Sequence, residues 1–180
     1  EREEHAASVQ RMRGASRIGL GMWPTFALLD LLVDSFISPG TLRALLGLRA
    51  AGVVLVVAAF LRLREARLPS PRLLLGLDLL VFTTLSLLIA LQCLLCGGVK
   101  SPLAPGIILV MIGRAAVTAD PWHRGLLHYG AMALTFPLCC GLGALFLPAV
   151  LRGFADGAAL ASFALNVSFL FGACGTIVFA

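Results

Sequence analysis

With 180 residues, 59% of them hydrophobic and only 13% charged, and a mean hydropathy of +0.98, the chain lies far from the half-apolar, quarter-charged balance of an ordinary water-soluble domain. The net charge of +5 and a pI near 9.4 do not point to nucleic acid, because the arginines are not gathered on one polar face but stand mostly at the ends of apolar runs. The composition describes an all-α polytopic membrane protein. Crossing ~30 Å of hydrocarbon at 1.5 Å per residue takes about 20 apolar residues, so the length holds six such helices and no separate hydrophilic domain.

In chain order, residues 1–17 form a polar leader of mixed acidic and basic character, the wrong shape for a signal peptide. Six transmembrane helices are predicted after it, at about 18–38, 43–63, 73–96, 103–119, 125–148 and 158–180, the fourth being the shortest. Leucine and alanine dominate over β-branched residues, and the short alternating segments of a membrane barrel are missing. The flanking cations set the orientation. Arg2, Arg11, Arg13, Arg17, Arg62, Arg64, Arg67, Arg72 and Arg124 fall on one side, against Arg43, Lys100 and Arg152 on the other, which predicts both termini in the cytoplasm. Spans one and four both carry an early proline (Pro24, Pro105), but the charged positions of the two halves do not correspond, which disfavours an inverted-repeat transporter.

Five ionisable residues fall inside the spans: Asp30, Asp34, Arg49, Asp78 and Arg114. An unpaired charge there costs at least ~2.5–3.5 kcal/mol, so partners are expected. Depth pairs Asp34 with Arg49 near the outer side, with Asp30 one turn deeper on the same face, and Asp78 with Arg114 near the inner side. Such pairs hold helices in register; the functional alternative is a polar pocket or proton-linked switch with Asp30 as its acid. The cysteines Cys93, Cys96, Cys139, Cys140 and Cys174 lie in or at the ends of spans and are expected to fill space as small hydrophobes, with a redox role for Cys93 and Cys96 as the alternative. No metal site is expected, since the Cys93-x-x-Cys96 spacing lacks a second pair or a nearby histidine. No nucleophile, base and orienting group come together in the sequence, and it has neither a phosphate-binding glycine loop nor a kinase motif set.

One local pattern stands out, CGGVKSPLAPG at 96–106. Gly97 and Gly98 free the backbone to turn, while Ser101 at an N-cap and Pro102 at the first helical position are suited to restart a helix whose open N–H groups favour a carbonyl or anionic ligand. The stretch Gly97-Gly98-Val99-Lys100-Ser101-Pro102-Leu103 resembles the GGxxNPF heptapeptide of RegB-type redox-sensing histidine kinases, with serine and leucine in place of asparagine and phenylalanine. The arginine- and leucine-rich spans and basic leader are also similar in style to membrane regions of myxobacterial serine/threonine protein kinases. These resemblances imply a six-span input domain of a bacterial signalling protein. They imply a kinase or nucleotide cyclase beyond residue 180, a homodimer formed through the parent protein and a place in the bacterial inner membrane; no cofactor is expected, with quinone as the alternative ligand of the loop at Gly97, Gly98, Ser101 and Pro102, beside a small apolar molecule or the lipid itself. A stand-alone small transporter or membrane enzyme subunit is the alternative. The chain starts at Glu1 and ends on the apolar FLFGACGTIVFA, which suits a segment of a longer protein.

Overall fold

The computed structural model describes residues 2–64, 69–118 and 121–179, with side chains from Ala6 onward. Arg67, the end of the fourth predicted span at 119 and the last residue of the sixth lie outside the described residues. Among them the chain forms α1 (Arg2–Thr25), α2 (Ala27–Phe36), α3 (Leu42–Arg64), α4 (Pro71–Leu95), a short 3-10 helix at Gly98–Lys100, α5 (Gly106–Ala115), α6 (Trp122–Phe146), α7 (Pro148–Ala155) and α8 (Gly157–Phe179), and no strand. Five helical stretches are long and apolar enough to cross a membrane: Ala6–Phe36, made of α1 and α2 together, and α3, α4, α6 and α8.

The polar leader is not a loose tail. It is helical from Arg2 and runs straight into the first apolar stretch, with Val9 and Met12 buried and Arg13 Nε donating to the Leu63 carbonyl at the end of α3, 2.5 Å away. The helix is interrupted at Phe26, two residues after Pro24, which has no N–H to give the preceding turn, and α2 begins at Ala27. The core lies between α4 and α6, which interlock through Leu85, Ile89, Met132 and Phe136. About two-fifths of the apolar window is buried in each of these helices (39% and 44%), against 11% in α8, so α8 is the peripheral element.

Two predicted elements differ. The fourth apolar stretch is helical only over Gly106–Ala115, because Pro102 and Pro105 have no donor for an α-turn; the backbone advances through single-turn bonds, Gly106 N–H to Leu103 and Ile107 N–H to Ala104, before the helix starts. The connection between the last two long helices is itself a helix, α7, started by Pro148 at its first position.

Close approach of α1 to α3 depends on one glycine. Trp23 lies across α3 at Gly52, where an added Cβ would fall 2.5 Å from Trp23 Cε2 and 2.8 Å from Cζ2. Gly47, on the same helix, has open space at that position. Gly52→Ala is therefore expected to destabilise the protein by about 1–3 kcal/mol through overpacking, whereas Gly47→Ala should be neutral or stabilising by up to about 1 kcal/mol. Reversible unfolding of both variants in mixed micelles checks the contrast.

Candidate functional site

At one end of the bundle, near the turn between α2 and α3, Arg49 is bound in a two-pronged pair to Asp30. Its Nε donates to Asp30 Oδ2 at 2.9 Å and its Nη2 to Oδ1 at 2.6 Å, with Asp30 fully buried. The guanidinium carbon lies 4.9 Å from the Trp23 ring centre and 5.8 Å from that of Phe26. Gln92 of α4 completes the cluster: its Oε1 accepts from Arg49 Nη2 and its Nε2 donates to the Leu45 carbonyl, both at 3.4 Å. Trp23 Nε1 donates to the Arg49 carbonyl at 2.8 Å. One arginine thus ties α1, α2, α3 and α4 together.

The expected Asp34–Arg49 pair does not form. Asp34 Oδ1 instead accepts the Leu42 N–H at the first residue of α3, where a carboxylate meets the positive end of the helix. The reason is where the helix ends. With α2 stopping at Phe36, Asp30 sits six residues, about 9 Å, below its end, and Arg49 sits seven residues, about 10 Å, into α3. Asp30, not Asp34, has the matching depth.

Toward the opposite end, Asp78 of α4 and Arg114 of α5 are brought together. Arg114 is fully buried; its Nε donates to Asp78 Oδ2 at 3.0 Å and its Nη2 reaches the same oxygen. Arg114 Nη2 also lies 2.7 Å from His128 Nδ1 of α6. A guanidinium N–H only donates, so Nδ1 accepts and the imidazole carries its proton on Nε2. The Tyr129 ring centre is 4.9 Å from the Arg114 guanidinium carbon. The roles of Trp23, Gln92 and His128 were not apparent from the sequence; a lone amide and a lone imidazole inside apolar runs were the signal.

The glycine loop lies at the same end as Asp30 and is built as a plug. Gly97 and Gly98 have φ of +90° and +58°, which L side chains rarely adopt. Val99, Ser101 and Ala104 are each 1% exposed, while Gly97, Lys100, Pro102 and Pro105 between them are exposed, so the loop has one face against protein and one facing out. Ser101 does not cap α5; its Oγ accepts the Leu103 N–H, and its carbonyl faces Asn166 Nδ2 of α8 at 3.5 Å. Helix α7 closes over the loop, Val150 against Gly98 and Gly153 against Val99, and Lys100 is paired with Asp156 just after α7. Pro102 points outward, exposed. Within the loop Lys100 N–H donates to the Gly97 carbonyl and Ser101 N–H to that of Gly98.

All five cysteines are free, buried thiols, and among the described residues no three His, Cys, Asp or Glu side chains gather to hold a metal. The arrangement is chemically two buried ion pairs, Arg49 with Asp30 and Arg114 with Asp78, that tie neighbouring helices together. Comparison with protein-family models, with curated proteins and with solved structures finds no match to the chain.

Two outcomes follow from this geometry. Asp30→Asn and Arg49→Gln should each cost about 3–5 kcal/mol by stranding a buried charge, and the double variant should fall short of their sum by at least about 1 kcal/mol, while Asp34→Asn adds to Arg49→Gln within about 0.5 kcal/mol. Additivity for Asp30 and Arg49 would contradict the pairing. At the surface, the hydrogen bond from Lys100, helped by the Ala158 N–H, holds the Asp156 carboxyl below its ordinary 3.8. Because the folded value is depressed, the stabilisation is complete above about pH 3.8 and is lost as the pH falls through the folded value. Lys100→Gln should move the Asp156 titration, followed by its carboxyl carbon resonance, up toward 3.8; an unmoved titration would mean that the ion pair does not form.

Proposed function

We propose that this chain is the membrane-embedded input and anchoring module of a bacterial signal-transduction protein, with six spans and both ends on the arginine-rich, cytoplasmic side. The observation that carries the proposal is the contrast in how the helices are held. Two buried arginine clamps and the α4–α6 core fix the body, whereas α8 is only 11% buried over its apolar window and has no charged residue from Gly157 to Phe179. A peripheral helix beside a rigid body is the element whose packing a stimulus can shift and whose end can pass that shift on.

Six crossings are supported by α5. It leaves the loop beside α7 and delivers Arg114 to Asp78, close to the starts of α4 and α6, so the short helix and its loop together return the chain across the bundle. The output domain that suits this layout is a serine/threonine or histidine kinase after α8, acting as a homodimer, or a nucleotide cyclase. The suitable stimuli are apolar: a quinone, a small apolar molecule or the lipid itself. A groove of about 440 Å³, lined by Ala44, Gly47, Leu48, Leu91, Leu94, Leu95 and Leu147, is open to such molecules. Absence of a nucleophile–base arrangement among the described residues favours this over a self-contained membrane enzyme.

The test uses the parent chain in its own membrane. Inserting one alanine after Phe179 turns whatever follows by about 100° and should change output activity several-fold, while a seven-residue insertion, about two turns, should restore most of it. Output that survives replacement of all the spans by unrelated helices would reduce the module to an anchor. A stop codon directly after Ala180 would leave the small transporter or enzyme subunit.

A further inference from the structure

A second cavity lies at the end of the bundle where α4 and α6 begin. Its volume is about 220 Å³, room for roughly seven waters at ~30 Å³ each. Its walls come from three separate parts of the chain: the leader end of α1, the start of α4, and Val117 and Thr118 after α5 with Pro121 and Arg124 at the start of α6. This makes it a cleft between helices rather than a dent in one loop.

Its chemistry favours a negative charge. Arg11 and Arg124 face it from opposite walls, both exposed, and the hydroxyl residues Ser8 and Thr118 stand beside them. Arg11 Nη2 donates to Ser8 Oγ at 3.2 Å, which holds the guanidinium at the rim. Pro71 and Pro121, which open two 25-residue helices, also line it. The N-terminus of such a helix carries roughly half a positive charge, so two of them aim at one space. The acid that reaches the cavity, Asp78, is already matched by Arg114. Asp120, next to Pro121 in sequence, lies outside the described residues.

The surroundings separate a lipid from a free anion. Leu73, Leu75 and Trp122, next to the cavity on α4 and α6, are 50%, 41% and 60% exposed. An exposed tryptophan and leucines beside a basic cleft are what a headgroup with attached acyl chains requires, the ring lying at headgroup level. We infer that the cleft between α1, α4 and α6 is a binding site for the phosphodiester headgroup of an anionic phospholipid, gripped by Arg11 and Arg124. The site would couple the leader helix to the body of the bundle and does not depend on which output domain follows.

The experiment compares the purified chain in nanodiscs of phosphatidylcholine alone and of phosphatidylcholine with phosphatidylglycerol, reading thermal midpoint and the lipid retained in native mass spectrometry. The wild type should be stabilised by phosphatidylglycerol and retain it. The variant Arg11→Gln with Arg124→Gln should lose at least half of the stabilisation and about fivefold of the retained lipid. Each single variant should show part of the loss, which keeps the test readable if the double variant accumulates poorly. Arg62→Gln with Arg64→Gln, which removes two charges from the same end outside the cleft, should behave as wild type. Equal loss in that control, no response of the wild type, or full reproduction of the effect by inorganic phosphate in phosphatidylcholine discs would each overturn the assignment.

Discussion

A guanidinium cannot rest in hydrocarbon alone, and the places where two arginines find carboxylates decide how these helices meet. Arg49 and Arg114 use the same three parts: an aspartate on a neighbouring helix, an aromatic ring 4.9 Å from the guanidinium carbon, and a third polar side chain, Gln92 in one case and His128 in the other. Stacking and bidentate bonding both favour the planar guanidinium over an ammonium, so lysine would be a poor substitute at either position. The two clusters sit toward opposite ends of the bundle and share α4, through Gln92 and Asp78. Helix α4 is thereby fixed at two depths. Between these points ordinary apolar packing against α6 suffices.

The loop from Gly97 to Pro105 solves a different problem of the same medium. Backbone that is not helical must find its hydrogen bonds inside the protein. Here the turns satisfy several groups, Asn166 approaches the Ser101 carbonyl, and α7 seals the outside, with Gly153 allowing Val99 to come close. The glycine pair takes up the left-handed backbone that the turn after α4 requires, and Gly98 lets Val150 of α7 come close.

How much of this was legible in the sequence follows from what periodicity and hydropathy can see. Apart from the first, which is helical back to Arg2 and interrupted at Phe26, the long apolar runs are helices with ends within a few residues of those predicted, because lipid-length runs leave the backbone no other way to satisfy itself. Asp78 and Arg114 do meet, although α4 starts two residues before the predicted span and α5 ends at Ala115 rather than 119. Asp30 and Asp34 exchange their expected roles, since carrying the first span on to residue 38 moved both by two residues, enough to exchange a buried ion pair for a helix cap. Helix α7 continues the apolar character of α6, so hydropathy gives it no boundary. The leader is polar by composition yet helical, since its mixed charges hide the buried face made by Val9, Met12 and Ser16. The plugged loop was out of reach, because only its contacts distinguish it from an open one.

The brevity of α5 has a consequence for biogenesis. Ten residues rise only about 15 Å, half the oily thickness of a bilayer. Such a segment, flanked by turns, cannot partition sideways from the translocation channel as a finished helix. It packs most against α4, which is made before it, and then against α8 and α6, which are made after it. The helices that follow are therefore needed to complete its surroundings, and a chain cut before α8 is expected to leave this short segment enclosed on fewer sides.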